Sequence, residues 1–196
     1  MTYDAPIPNA FNAYSALTKG SFNLSSGKHS TYYFDSDLMT MSPVGSFEVG
    51  RYFFRMIKET CAEAVGGVAV GGIPVVTAIT LTSYNYGSPL PSFYVRNMPK
   101  AHGKEDVIGG NFPSSPVTPV VMVDDVLTTG RSLLRAIKVV EGLGCKVEAA
   151  MCVFDRNEGG REALKMHGYE LRAMYTMKDG EIRFNPTGVS GNDRSK

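Results

Sequence analysis

Cysteine is scarce in this chain: Cys61, Cys145 and Cys152 are the only three among 196 residues. The number is odd and no pair has CxxC spacing. That excludes a disulfide framework, argues against a metal or redox role, and fits reduced, mostly buried thiols of a cytosolic protein. Excess charge of either sign is also lacking. Twenty basic residues against 19 acidic ones leave a net charge of +1, so there is neither a nucleic-acid-binding stripe nor an acidic tail. No apolar run approaches the roughly 18 residues that cross a membrane. Met1 to Ala10 carries neither the basic nor the apolar part of a signal peptide. What is present is a globular composition, 43% hydrophobic and 20% charged. Its length suits one domain with a small appended lobe.

The N-terminal part is short and mixed. Pro8-Asn9-Ala10 opens a helix expected to run through Leu17. Phe22 to Leu24 and Thr31 to Phe34 read as the strands of a hairpin around Ser25-Ser26-Gly27-Lys28. Ser42-Pro43 then pairs an N-cap residue with proline at the first helical position. Val49, Tyr52, Phe53, Met56, Ile57, Thr60, Cys61 and Ala64 follow on one helical face.

From Val65 the pattern changes. Apolar runs at 65–70, 92–95, 117–123, 147–154 and 169–176 alternate with helical stretches at 74–81, 131–143 and 161–167. Such alternation, with strands apolar throughout, specifies an α/β fold: a mainly parallel sheet flanked by helices on both faces. Residues 97–116, rich in proline and glycine and without a helical face, read as a loop. The expected organisation is a hood over 1–40, a core over 41–187 and a frayed tail over 188–196.

The chemistry concentrates in Val123-Asp124-Asp125-Val126-Leu127-Thr128-Thr129-Gly130-Arg131-Ser132. An apolar strand leads into two carboxylates, a small polar turn and a helix. In an open parallel sheet, ligands bind outside the carboxyl ends of the strands. Thr128 to Ser132 offer hydroxyls, free backbone N–H groups and a helix N-terminus, which suit a phosphate monoester. The acid pair would repel that phosphate. It suits sugar hydroxyls or a hydrated Mg²⁺. The combination points to a phosphorylated sugar.

This segment resembles the motif by which type I phosphoribosyltransferases bind phosphoribosyl pyrophosphate (PRPP). Further segments resemble the orotate phosphoribosyltransferases, in family order over about residues 11 to 176. Phe22-Asn23-Leu24-Ser25-Ser26-Gly27-Lys28-His29-Ser30-Thr31-Tyr32-Tyr33-Phe34-Asp35 looks like their N-terminal signature. Val68-Ala69-Val70-Gly71-Gly72-Ile73-Pro74 looks like their glycine-rich turn facing pyrophosphate. Arg96-Asn97-Met98-Pro99-Lys100-Ala101-His102-Gly103 looks like their mobile catalytic loop, and Phe154-Asp155-Arg156 like their orotate-binding arginine. Some members carry lysine at the positions of Ser25 and Asn97, and Tyr-Lys at Val70-Gly71. Lys28, Arg96, Lys100 and Lys104 are the candidates to compensate.

The resemblance implies a type I phosphoribosyltransferase fold with an N-terminal hood. It implies transfer of phosphoribose from PRPP to orotate, giving orotidine 5′-monophosphate and pyrophosphate in pyrimidine biosynthesis, with Mg²⁺ bound mainly through PRPP. It implies that Asp124 and Asp125 face the ribose hydroxyls, with Arg96, Gly71 and residues 126–132 completing the PRPP site. Lys100 would stabilise the leaving group and His102 support it. Thr128, Arg156, Tyr33 and Phe34 would receive orotate. It also implies a cytoplasmic homodimer sharing its catalytic loop, with the next step of the pathway on another chain. Gly71, Arg96, Asp124 and Arg156 each follow an expected strand, so a parallel sheet would gather them at one edge. The PRPP motif alone leaves open another base, a PRPP-binding regulator, or a sugar-phosphate-binding structural subunit. The intact Lys100 and His102 loop and the lack of a basic stripe speak against the regulator.

Overall fold

Val120, Met122, Ala150 and Cys152 point to one side of their strands, and Val121, Val123, Met151 and Val153 to the other; all eight are fully buried. Strands buried on both faces need helices on both faces, and that requirement shapes the molecule. The computed structural model describes residues 12–23, 29–96 and 107–187. After a 3-10 turn at Ala13–Ala16 come β1 (Leu17–Asn23) and β2 (His29–Phe34), an antiparallel hairpin. Then follow α1 (Asp37–Thr40), α2 (Pro43–Ile57), β3 (Ala64–Val68), α3 (Gly72–Asn85), β4 (Ser92–Val95) and β5 (Ile108–Gly110). The chain continues through β6 (Pro119–Leu127), α4 (Arg131–Gly142), β7 (Lys146–Asp155), α5 (Gly160–Met166), β8 (Leu171–Lys178) and β9 (Glu181–Phe184).

Seven strands form one sheet in the order β5-β4-β3-β6-β7-β8-β9. The inner five are parallel, and the two edge strands run antiparallel. Helices α2 and α3 cover one face through Val49, Tyr52, Phe53, Val75, Val76 and Ile79. Helices α4 and α5 cover the other through Leu133, Ala136, Ile137, Val140 and Leu164. The hairpin is pinned to the core by Phe34, whose ring stacks on Phe154 at 4.2 Å between centroids.

The start of α2 behaves as its sequence dictates: the Ser42 hydroxyl accepts from the Gly45 N–H at 3.0 Å. Its end corrects the expectation. The helix stops at Ile57, so Thr60, Cys61 and Ala64 leave the helical face; Cys61 is exposed and Ala64 opens β3. Leu17 likewise begins a strand rather than closing a helix. Residues 97–116 are not wholly irregular, because Ile108–Gly110 pairs with β4 as an edge strand. The run at 169–176 is not the last strand either; β9 follows it. Edge pairings of three and four residues leave too little apolar periodicity to be read. Residues 1–11, 24–28, 97–106 and 188–196, on which the expected hairpin turn, most of the expected loop and the expected frayed tail fall, lie outside the described residues.

Candidate active site

Between β3 and β6 the strand order reverses: the chain leaves β3 toward β4, then returns to place β6 on the opposite side of β3. A crevice opens at the carboxyl ends of two parallel strands whose connections depart in opposite directions. Here it is a cavity of about 440 Å³ walled by Tyr33, Phe34, Val68–Gly71, Asp124, Asp125, Val126, Thr128, Ser132 and Arg156, with Ser36 at its side. That volume suits one small ligand.

The acid pair sits within the strand, not in the turn after it, since β6 continues to Leu127. Asp124 is only 6% exposed. Burial, and then the charge of Asp125, push its carboxyl well above the ordinary carboxylate range. Its Oδ1 accepts from the Asp125 N–H at 3.0 Å. Asp125 is clamped between two neighbours. Ser36, at the start of α1, donates its hydroxyl to Oδ2. On the other side stands Gly71, where any Cβ would lie 2.2 Å from the same oxygen. Glycine is required there by close approach alone, because its φ of −62° suits any residue.

Leu127 turns inward to the core and Thr128 opens the loop. Gly130 takes φ +76° at the N-cap of α4, 3.1 Å from the Gly160 carbonyl by its would-be Cβ. No bulkier residue fits that turn. Twelve-residue α4 therefore presents its first N–H groups, which lack helical partners, beside Thr128 and Ser132 at the cavity wall.

Arg156 follows β7 and is 4% exposed. Its Nε donates to Glu158 at 2.9 Å and its Nη2 to the Ser30 hydroxyl at 2.7 Å. Its guanidinium lies 4.1 Å from the Tyr32 ring centroid. An exposed ion pair would be of little consequence; a buried, pre-oriented guanidinium at a cavity wall can receive a planar anion.

The fold thus gathers Gly71, Asp124, Asp125, Val126, Thr128, Ser132, Arg156, Tyr33 and Phe34 around one cavity. Arg96 is not among its walls. That side chain folds over Tyr94, 4.8 Å from the ring centroid, and donates to the Tyr94 hydroxyl at 2.9 Å. Leu127 is core, while Thr129, Gly130 and Arg131 shape the turn without lining the cavity. Lys100 and His102 lie outside the described residues. Ser36 and Glu158 escaped sequence reasoning, while Ser30 and Tyr32 were read only as positions of the N-terminal signature, without a partner. Glu158 alone could have been suspected, two residues from Arg156; the serines and Tyr32 reach their partners only across the folded chain.

A phosphoribosyl transferase domain model matches residues 62–173, more than half of the chain and the whole acid-pair region. An orotate phosphoribosyltransferase of Rhodopirellula baltica is 35% identical over 170 residues, covering 84% of this chain and 87% of the relative. The chain belongs to the orotate phosphoribosyltransferase family. Orotate phosphoribosyltransferase of Mycobacterium tuberculosis H37Rv, solved in complex with PRPP, superimposes with a TM-score of 0.64 at 31% identity, covering 78% of this chain and 84% of that one. An adenine phosphoribosyltransferase of Thermoanaerobacter pseudethanolicus, at 15% identity and TM-score 0.61, shares the fold. No helix of the described residues is long and apolar enough to cross a membrane.

Proposed function

We propose that this member of the family transfers the 5-phosphoribosyl group of PRPP to orotate, forming orotidine 5′-monophosphate and pyrophosphate in pyrimidine biosynthesis. The observation that carries the reading is the sharing of one cavity by the buried Arg156, the acid pair and the Thr128–Ser132 turn. A planar cation for a carboxylate, acceptors for a vicinal diol and a helix N-terminus for a phosphate are the three features of this substrate pair.

The roles follow from the chemistry of each group. The Thr128–Ser132 turn and the first N–H groups of α4 hold the 5′-phosphate. Asp124 and Asp125 take the ribose hydroxyls, and the raised affinity of Asp124 for a proton lets the pair both donate and accept. Arg156 pairs with the orotate carboxylate beside Tyr33 and Phe34. The orotate ring nitrogen forms its bond to the anomeric carbon as the carbon–oxygen bond to pyrophosphate breaks; pyrophosphate leaves with the electron pair, and the proton of that ring nitrogen passes to pyrophosphate or solvent. No protein nucleophile is required; positioning and charge stabilisation do the work. Lys100 and His102, on the loop after Arg96, neutralise the departing pyrophosphate, at the site of a neighbouring subunit in a cytoplasmic homodimer.

The donor set fits Mg²⁺ in a supporting place. Among the described residues no group of three or more acidic, histidine or cysteine side chains could cage an ion, so the phosphate oxygens of PRPP would supply most of its ligands, with Asp124 and Asp125 beside them. Bound there, the ion would neutralise pyrophosphate charge.

The decisive assay follows loss of orotate ultraviolet absorbance with PRPP and Mg²⁺, with other purine and pyrimidine bases run in parallel. PRPP-dependent loss of orotate is expected. Turnover of a different base would move the base assignment, and PRPP binding without turnover of any base would favour a PRPP-binding regulator. Arg156→Ala should raise the KM for orotate about tenfold or more while sparing that for PRPP; equal effects on both substrates would contradict its role.

A further inference from the structure

The guanidinium of Arg156 is held on three sides. Glu158 Oε1 takes Nε–H at 2.9 Å, and Ser30 Oγ takes Nη2 at 2.7 Å. The Tyr32 ring lies against its face at 4.1 Å. Ser30 is itself fixed: its hydroxyl donates to the Tyr32 carbonyl at 2.8 Å and accepts from the Tyr32 N–H at 3.2 Å. With Nε–H, one Nη2 hydrogen and one face taken up, Nη1 and the second Nη2 hydrogen are the donors left for a planar carboxylate.

Two of the three holders, Ser30 and Tyr32, belong to β2 of the hairpin, 126 residues from Arg156 in the case of Ser30. The third, Glu158, belongs to the loop after β7. The base-binding cation is thus aimed jointly by the hairpin and the core. We propose that Ser30, Tyr32 and Glu158 are positioning residues that aim Arg156 at the carboxylate of the incoming base and so set the enzyme's affinity for orotate. They act through Arg156 and do not line the cavity wall themselves. The proposal rests on the orotate reading above.

Glu158 separates aiming from simple charge. If it only neutralised Arg156, removing its charge would strengthen carboxylate binding. If it aims Arg156, removing its oxygen weakens binding, whereas glutamine, which keeps an acceptor oxygen, restores much of it. The experiment measures kcat and both KM values for the unaltered protein and for Ser30→Ala, Tyr32→Leu, Glu158→Ala and Glu158→Gln. Expected are orotate KM values raised about tenfold by Ser30→Ala, Tyr32→Leu and Glu158→Ala, kcat and the PRPP KM within about twofold, and substantial recovery in Glu158→Gln. Glu158 has a side chain 25% exposed, so its variants fold even if those at Ser30 do not. Unchanged or lowered orotate KM in the Glu158→Ala variant overturns the proposal while leaving the activity intact. Failure of the unaltered protein to turn over orotate overturns the functional reading and this inference with it.

Discussion

Replacing Gly71 by alanine isolates one contact of the ribose site. The backbone at Gly71 is right-handed helical, φ −62° and ψ −29°, so alanine meets no conformational strain. The added Cβ would fall 2.2 Å from Asp125 Oδ2, 2.3 Å from Cγ and 2.6 Å from Oδ1. To reach the 3.0 Å that real contacts respect, the carboxylate must retreat by about 0.8 Å, a displacement of the size that degrades a positioned site. It must also disturb its short bond from Ser36. A hydrogen bond from a ribose hydroxyl at about 2.8 Å would stretch to about 3.6 Å and cease to count. A hydrogen bond to a charged group is worth about 1.5–3 kcal/mol, so kcat/KM for PRPP should fall about ten- to a hundredfold. Stability should hardly move. The atom displaced is the end of one side chain, and alanine at a compatible glycine position gains about 0.4–1 kcal/mol from the unfolded state. Steady-state kinetics with varied PRPP, beside thermal unfolding, test both halves. A folded Gly71→Ala variant with unaltered kcat/KM for PRPP would refute the argument that this contact fixes Asp125.

Other expectations follow from the same geometry. Because burial, and then the charge of Asp125, raise the carboxyl of Asp124 in the fold, the native state holds its proton to higher pH than the unfolded state does. Its contribution to the ligand-free protein is therefore present at acidic pH and lost as pH rises from the ordinary carboxylate range through the raised value. Asp124→Asn should raise the Tm of the ligand-free protein at neutral pH but much less near pH 4, and should abolish turnover; a pH-independent Tm difference would count against this. Lys100→Ala should lower kcat by about two orders of magnitude while PRPP still binds in equilibrium titration, and unchanged kcat would remove Lys100 from its role. The buried Tyr52 hydroxyl lies 2.9 Å from the Ala173 carbonyl and 2.5 Å from that of Asn185. Tyr52→Phe should cost about 1–3 kcal/mol in denaturant unfolding without altering either KM.

The sequence by itself determined the strands that are buried on both faces, the capped start of α2 and the helices between strands, because each follows from local composition and periodicity. It also carried the acid pair, the turn after it and Arg156, since these are contiguous motifs on strand ends. Element ends and short antiparallel edges were not legible: β5 and β9 owe their existence to pairing with β4 and β8, not to any pattern of their own. Only the tertiary structure decided that the order reverses between β3 and β6, which creates the crevice. It moved Arg96 onto Tyr94 and turned Leu127 into the core. It also brought Ser36 to Asp125 across 89 residues and Ser30 to Arg156 across 126. The residues around Ser36 and Ser30 do not say which distant group each will meet. Such a hydrogen bond exists only once two distant segments have brought donor and acceptor to within 3 Å of each other, and that is a property of the fold as a whole.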